Sequence, residues 1–151
     1  MSNYGVPASP EGTLPWSWAE QRLVDAHNYW LSTVNPAGRP NASAVWGVWL
    51  DGTFLFSCSP TALKARNLAA NPNCVITTER ADEAVIVEGV AQPVKGRAIT
   101  GAYVDVYNRK YDWDMDPDAD GYFIVTPRVA FAFIEHADRF SQTATKYEFE
   151  P

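Results

Sequence analysis

The sequence predicts a single, mainly β (α+β) domain of the barrel or sandwich kind, and three observations carry that reading. Runs of strand length rich in β-branched and aromatic residues recur along the chain: YWLSTV, SAVWGVWL, CVITTE, AVIVEGVAQPV and YFIVTPRVAFAFIE. Asp51-Gly52 is a strong hairpin signal between two of the apolar runs. The length of 151 residues and the 46% hydrophobic content suit one globular domain with a real core.

The elements follow in order. Residues 1–15, MSNYGVPASPEGTLP, are rich in Pro, Gly and Ser and read as an arm ahead of a domain over 16–151. WAEQRLVDAHNYW predicts an opening helix from about Trp18 to His27, with Leu23, Ala26, Asn28 and Trp30 around one face. Ser17 is its expected N-cap and Glu20 the partner in a capping box. Asn35-Pro36-Ala37-Gly38 marks a turn, SAVWGVWL runs to the Asp51-Gly52 hairpin, and three strands are expected by Cys58. CVITTE and AVIVEGVAQPV, separated by the polar Arg80 to Glu83, are the next two strands. Residues 97–112 read as a helix with Tyr103, Tyr107 and Tyr111 on one packing stripe. YFIVTPRVAFAFIE and TKYEFE supply the last strands, with Pro127 demanding an edge or a bulge.

Charge and cysteine usage narrow the partners. A net charge of −6 and a pI near 4.8 argue against a nucleic-acid or anionic membrane surface and point to a small molecule or another protein. Cys58 and Cys74 show no CxxC spacing, no signal-peptide core opens the chain, and no apolar run approaches the roughly 20 residues of a membrane helix. A soluble protein in a reducing cytoplasm is expected.

SPTALKARNLAANP, residues 59–72, holds the sharpest functional signal. Ser59 and Pro60 suit a helix start and Asn71-Pro72 a stop, giving a helix over Thr61–Ala70. Lys64 and Arg66 then lie in its electropositive first half, where a cation opposes the macrodipole unless an anion sits there too. Free amides plus a lysine make a phosphate or carboxylate site; two solvated side chains are the bland alternative.

YWLSTVNPAGRPNASAVWGVWLDGTFLFS, LKARNLAANP, VIVEGVA, VAFAF and the terminal TATKYEF, in this order between about Leu14 and Phe149, resemble the pyridoxamine 5'-phosphate oxidase-like split β-barrel family. Within it they are most similar to the deazaflavin-dependent oxidoreductase branch. The resemblance implies a homodimeric, FMN-binding-like split β-barrel with an isoalloxazine-type cofactor in a groove at each subunit interface. It implies an oxidoreductase that moves hydride to a small conjugated organic substrate with coenzyme F-420. Flavin mononucleotide (FMN) is the alternative cofactor and flavin adenine dinucleotide (FAD) a more distant one. A cofactor-binding or storage protein without turnover is the reading from another class.

By the same resemblance, Ser43, Ala44, Val45 and Trp46 run beside the ring and Ser57 and Cys58 approach the tail. Leu63, Lys64 and Asn67 match the positions that hold the tail phosphate. Relatives often carry Arg just before the lysine; Leu63 stands there instead, which leaves the tail to Lys64, the helix amides and Arg66, with Arg39 as a further cation. No catalytic side chain is assigned, because such chemistry belongs to the cofactor.

Other constellations carry less. Asp116, Asp118, Asp120 and Gly121 match the start of an EF-hand loop, but its twelfth position falls on Pro127 where a bidentate Glu is required. His27 and His136 lack partners at ligand spacing, and Ser141, His136 and Asp138 lack a nucleophile elbow. Trp30 and Trp49 are expected in the core or a dimer interface, together with Phe131 and Phe133. Trp113 is placed on the substrate side.

Overall fold

The structure, a computed structural model, describes residues 14–135 and 143–150. Its elements are α1 (Trp16–Asp25), β1 (Tyr29–Val34), β2 (Pro40–Val45), β3 (Val48–Leu50), β4 (Thr53–Ser57) and α2 (Leu63–Ala70). They continue with β5 (Asn73–Thr78), β6 (Glu83–Val94), α3 (Arg97–Tyr111), β7 (Tyr122–Ile134) and β8 (Thr145–Glu148). The strands form one antiparallel sheet in the order β2-β1-β5-β6-β7-β4-β3, with β8 on the C-terminal half of β7. The sheet curls into the split β-barrel that the resemblance implied.

The period-2 alternation of the strands decides what lies inside. Tyr29 and Leu31 of β1, Ile76 of β5, Val85 and Val87 of β6 and Phe54 and Phe56 of β4 meet in one buried cluster closed by Ala19 and Leu23 of α1 and Leu68 of α2. The opposite face of β3 and β4 is covered by α3, where Val48 packs on Tyr107 and Tyr111, and Leu55 on Val104 and Tyr122. The expected tyrosine stripe is therefore a packing stripe. Trp49 is 4% exposed and belongs to the core, whereas Trp30 is 49% exposed on the outer face of β1. Phe131 is also buried.

The expectations met the structure unevenly. The hairpin is where Asp51-Gly52 put it, with φ of 52° and 77° at the two turn residues, the left-handed pair that such a turn requires. Pro127 lies opposite Gly89 in the middle of the sheet, beside a register shift at Glu88/Gly89, so the bulge accommodates it and not an edge. α1 starts two residues early: Pro15 is its N-cap residue, no side chain caps it, and Ser17 lies inside the first turn. Glu20 accepts instead from the Trp49 indole Nε1 at 2.9 Å, which ties α1 to β3. α2 starts two residues late, because Ser59 closes a separate turn: its Oγ accepts from the Thr61 amide at 3.3 Å and its carbonyl from the Ala62 amide at 3.0 Å. His136, Asp138, Ser141 and the arm up to residue 13 lie outside the described residues. Leu14, the first one described, is held by the last strand: its amide donates to Thr145 Oγ1 at 2.9 Å, and its carbonyl accepts from Tyr147 Oη at 2.8 Å.

SAVWGVWL is not one strand. It breaks at Trp46-Gly47, and the two parts reach opposite ends of the sheet, β2 beside β1 and β3 beside β4. Four strands therefore precede Cys58, not three. Gly47 permits the break, since a Cβ there would meet the Phe54 ring and come within 2.9 Å of the Leu55 carbonyl oxygen. Gly47→Ala is expected to destabilise the fold by about 1–3 kcal/mol, as overpacking against backbone does. The check is a denaturant midpoint: a loss well under that range means that the corner yields.

Candidate functional site

The break leaves Trp46 at a corner, and beside it lies a cleft of about 610 Å³. Ala44 and Val45 form one wall with Trp46, and Ser57, Cys58 and Ser59 form the opposite one as β4 runs out toward α2. Lys64 and Ala62 stand at the α2 end; Asn28 and Tyr107 complete the lining. Six of the nine residues expected from sequence thus converge: Ala44, Val45, Trp46, Ser57, Cys58 and Lys64. Ser43 and Leu63 do not line the cleft, and Leu63 is 48% exposed. Asn67 is buried and spent: its Nδ2 donates to Thr33 Oγ1 and to Asn41 Oδ1, both at 3.1 Å, and so locks α2 onto β1 and β2. Arg66 and Arg39 lie outside the lining as well.

The α2 end has the electrostatics of an anion site. Lys64 is the second helical residue, so it sits where the macrodipole is most positive. Among the described residues it has no ion-pair partner. No side chain caps α2, and the first backbone bond back to its cap is that of Arg66 to Ala62. The amides of Leu63, Lys64 and Ala65 are thereby left without an acceptor among the described residues. Unspent amides, a lysine and the serine hydroxyls of Ser57 and Ser59 together suit phosphate or carboxylate oxygens.

The other end is flat and aromatic. The Trp46 ring lies 4.4 Å from that of Tyr111 at 6°, stacked, while His27 and Trp113 meet Trp46 edge-on at 5.8 and 6.0 Å. Tyr111 Oη accepts from the Gly47 amide at 3.0 Å and directs its own proton toward the carbonyls of His27 (2.7 Å) and Gly47 (3.0 Å). Trp113 is 58% exposed. A planar molecule with an anionic tail matches a cleft of this kind, flat at one end and cationic at the other.

Asn28, Ser59, Ala62 and Tyr107 are cleft residues that sequence reasoning missed. Asn28 read as part of the helix before it. The tyrosine stripe was visible, but its meeting with Trp46 depends on α3 crossing β3, which no local pattern announces. The three aspartates that matched an EF-hand start are spent locally: Asp116 Oδ1 accepts from the Asp118 amide at 2.8 Å, Asp118 pairs with Arg97 at 3.4 Å and Asp120 with Lys95 at 2.8 Å. A second hollow, of about 450 Å³ between α1 and the β5–β6 turn, is lined by charged groups with partners of their own: Arg22 and Arg80 both reach Glu83, Asp25 accepts from Gln21 and Glu79 from Asn28.

Residues 19–134 match the family model described as pyridoxamine 5'-phosphate oxidase. No curated protein matches the chain. Among solved structures it is similar to an F-420 reductase, with 26% identity and a TM-score of 0.58 over 74% of this chain and 94% of that one. A heme binding protein from Mycobacterium smegmatis shares 20% identity at a TM-score of 0.68, over 89% of this chain and 59% of that one. The heme storage protein HutZ from Vibrio cholerae shares 19% identity at 0.60, over 75% and 87%. The last two are likenesses of fold.

Cys58 reports on the cleft. Its amide donates to the Gly121 carbonyl at 3.0 Å, its thiol is half-buried, and burial raises its pKa above the usual thiol value against a smaller opposing pull from the Lys64 ammonium. Cys74 is buried and pushed up to about 12, so it does not compete. The rate of disulfide exchange at Cys58 with an aromatic disulfide is expected to rise with pH to a midpoint above that of a free thiol. Lys64→Ala removes the opposing cation and moves the midpoint further up. A midpoint indifferent to Lys64 means that the ammonium does not face this wall.

Proposed function

Because the chain belongs to the pyridoxamine 5'-phosphate oxidase family, we propose that it is an oxidoreductase that holds coenzyme F-420 in the cleft between Trp46 and Lys64. The observation that carries this reading is Lys64 itself. A lysine in the first turn of a helix, unpaired among the described residues and beside three unspent amides, is unfavourable unless an anion joins it. The 26% identity to an F-420 reductase, spanning 94% of that chain, supports the deazaflavin over a flavin.

The bound cofactor supplies hydride transfer to a small conjugated substrate. The chain's own residues bind and orient. Lys64 and the amides of α2 take the anionic tail, with Ser57 and Ser59 as hydroxyl donors. The backbone from Ala44 to Trp46 presents its polar groups along the ring edge, and the Trp46–Tyr111 stack keeps that wall flat and dry. Asn67 acts at one remove by fixing α2 to the barrel. Ser43 stands in the ring strand and Leu63 offers its amide. A cytoplasmic setting suits the two free thiols.

A second copy of the chain belongs to the proposal. Ala44, exposed at the cleft wall, pairs with the exposed Trp30, and Trp30 pairs onward with Thr77 on the outer face of the sheet. The row continues to the half-buried Ile86 before it reaches the buried Phe131, so the cleft borders a strip of sheet face on which Trp30 is the exposed apolar group. A homodimer packed through Trp30 closes the cleft from outside.

Titration of the purified protein with coenzyme F-420 and with FMN, followed by fluorescence, is the direct test, and F-420 is expected to bind the tighter. Lys64→Ala is expected to weaken F-420 binding by roughly ten- to a hundredfold, the loss of one charge-assisted bond of about 1.5–3 kcal/mol, with the melting temperature unchanged or slightly raised. Arg66→Ala does much less. Unchanged affinity in the Lys64 variant at low and moderate salt sinks the anion site. Binding without reoxidation of reduced cofactor across quinone, nitroaromatic and enone substrates favours a storage role. Separately, sedimentation is expected to show a dimer that Trp30→Glu converts to monomer with weakened cofactor binding; a wild-type monomer that binds tightly removes the second copy from the site.

A further inference from the structure

The polar groups of the Trp46-Gly47 corner lead past Tyr111 to its neighbour Lys110. The Lys110 Nζ donates to the Gly47 carbonyl at 2.9 Å and to Tyr29 Oη at 2.8 Å. The hydroxyl of Tyr29, a fully buried residue, in turn donates a hydrogen bond to the Leu23 carbonyl in α1 at 2.5 Å. The ammonium also lies 4.8 Å from the Tyr29 ring centroid and 5.1 Å from that of Tyr111. One cation thus joins α3, the β2–β3 corner, β1 and the last turn of α1. It does so without an ion pair among the described residues, although a half-buried ammonium lacking a carboxylate is costly.

Gly47 explains the need. The corner residue has no side chain of its own, because a Cβ would strike Phe54, so it must be fixed through its backbone by groups from elsewhere. Tyr111 offers the Gly47 carbonyl only a proton divided with His27. Lys110 brings three protons, enough for the carbonyl and for Tyr29.

We propose that Lys110 is a positioning residue: by clamping the Gly47 carbonyl to Tyr29 it sets the Trp46 ring as the wall of the cleft. The consequence for cofactor binding rests on the function proposed above; the placement of Trp46 does not. Burial lowers the Lys110 pKa to about 8, while Asp25 from α1 and Glu79 after β5 pull it back up more weakly. Tyr29 and Tyr111, which face it from β1 and α3, are raised by burial, so both stay protonated through that range. The remaining titratable neighbour is His27, between α1 and β1, in edge contact with Trp46 and Tyr111. Loss of the Lys110 proton removes one donor and the cation–π attraction, and the clamp loosens between about pH 7 and 9. For stability the sign is opposite: the unfolded lysine, near its ordinary 10.5, binds the proton that the folded one has released, so stability rises with pH from about 8 towards 10.5.

Fluorine NMR of the apo protein labelled with 5-fluorotryptophan tests this in a His27→Gln background, which removes the imidazole in edge contact with Trp46 and Tyr111. Trp46→Phe identifies the Trp46 resonance. That resonance is expected to move with a midpoint near pH 8, and in Lys110→Met to shift, broaden and lose the titration. Lys110→Arg, a cation that does not titrate here, is expected to restore a narrow, pH-independent line. The stability rise above pH 8 should disappear in both variants. In the full protein, Lys110→Met should bind coenzyme F-420 about tenfold more weakly at pH 7 and show no pH dependence between 7 and 9. A Lys110→Met resonance identical in position, width and pH response to that of the His27→Gln parent overturns the proposal. If neither F-420 nor FMN binds the wild type, the cofactor reading falls while the Trp46 resonance still decides the role of Lys110.

Discussion

Most of this fold depends on the chain turning out of β2 at Trp46-Gly47. An apolar run that continued straight would give the sheet one long edge strand. By breaking where a missing Cβ lets backbone pass the Phe54 ring, the chain instead carries three residues to the far edge of the sheet, beside β4. β1 and β2 then lie at one end of the strand order and β3 and β4 at the other, and the corner spans the gap between them. That gap is the cleft. Without the corner, Trp46 would be one more alternating strand residue, and Ser57 and Lys64 would face no opposite wall.

The constraint also explains why polar groups collect around a residue without a side chain. Buried backbone at a strand break has lost its ladder partners and must find others. Here they come from consecutive residues of α3, with Tyr111 serving the amide and Lys110 the carbonyl. Consecutive residues on a helix diverge by about 100°, so the two side chains reach the corner from different sides. α3 is accordingly both a cover for β3 and β4 and the mount of the cleft wall.

Where elements have local causes, the sequence announces them. The Asp51-Gly52 hairpin, the bulge demanded by Pro127 and the extent of α3 were legible because each is dictated by its own residues: a left-handed turn pair, a missing amide, a helical stripe. The Lys64 side of the cleft was legible for the same reason, since a cation in a first turn conflicts with the helix dipole wherever the helix goes. Ser17 and Ser59 misled, because a serine near a helix start has competing uses and the backbone chose caps without side-chain bonds. The break at Gly47 was hidden, as its cause is the Phe54 ring on another strand. Asn67 matched a family position, yet its amide is committed to Thr33 and Asn41, partners 34 and 26 residues away. Tyr107 and Lys110 gained their places from the packing of α3, a tertiary fact.

The seat of α1 is divided between the two ends of the described chain, and this bears on synthesis. Trp16 packs edge-on against Trp49 at 6.0 Å, but also against Tyr147 at 4.9 Å and Phe149 at 5.0 Å, and Leu14 is fastened to a threonine 131 positions later. A ribosome adding about 5–20 residues per second needs roughly 7–26 s to cover that distance. Throughout that interval Trp16, at the start of an amphipathic helix with two tryptophans, lacks its Tyr147 and Phe149 neighbours. The body of α1 has its berth on β1 and β3 early, through Leu23 and Glu20, while its first turn stays open to water or to a chaperone until the last strand arrives.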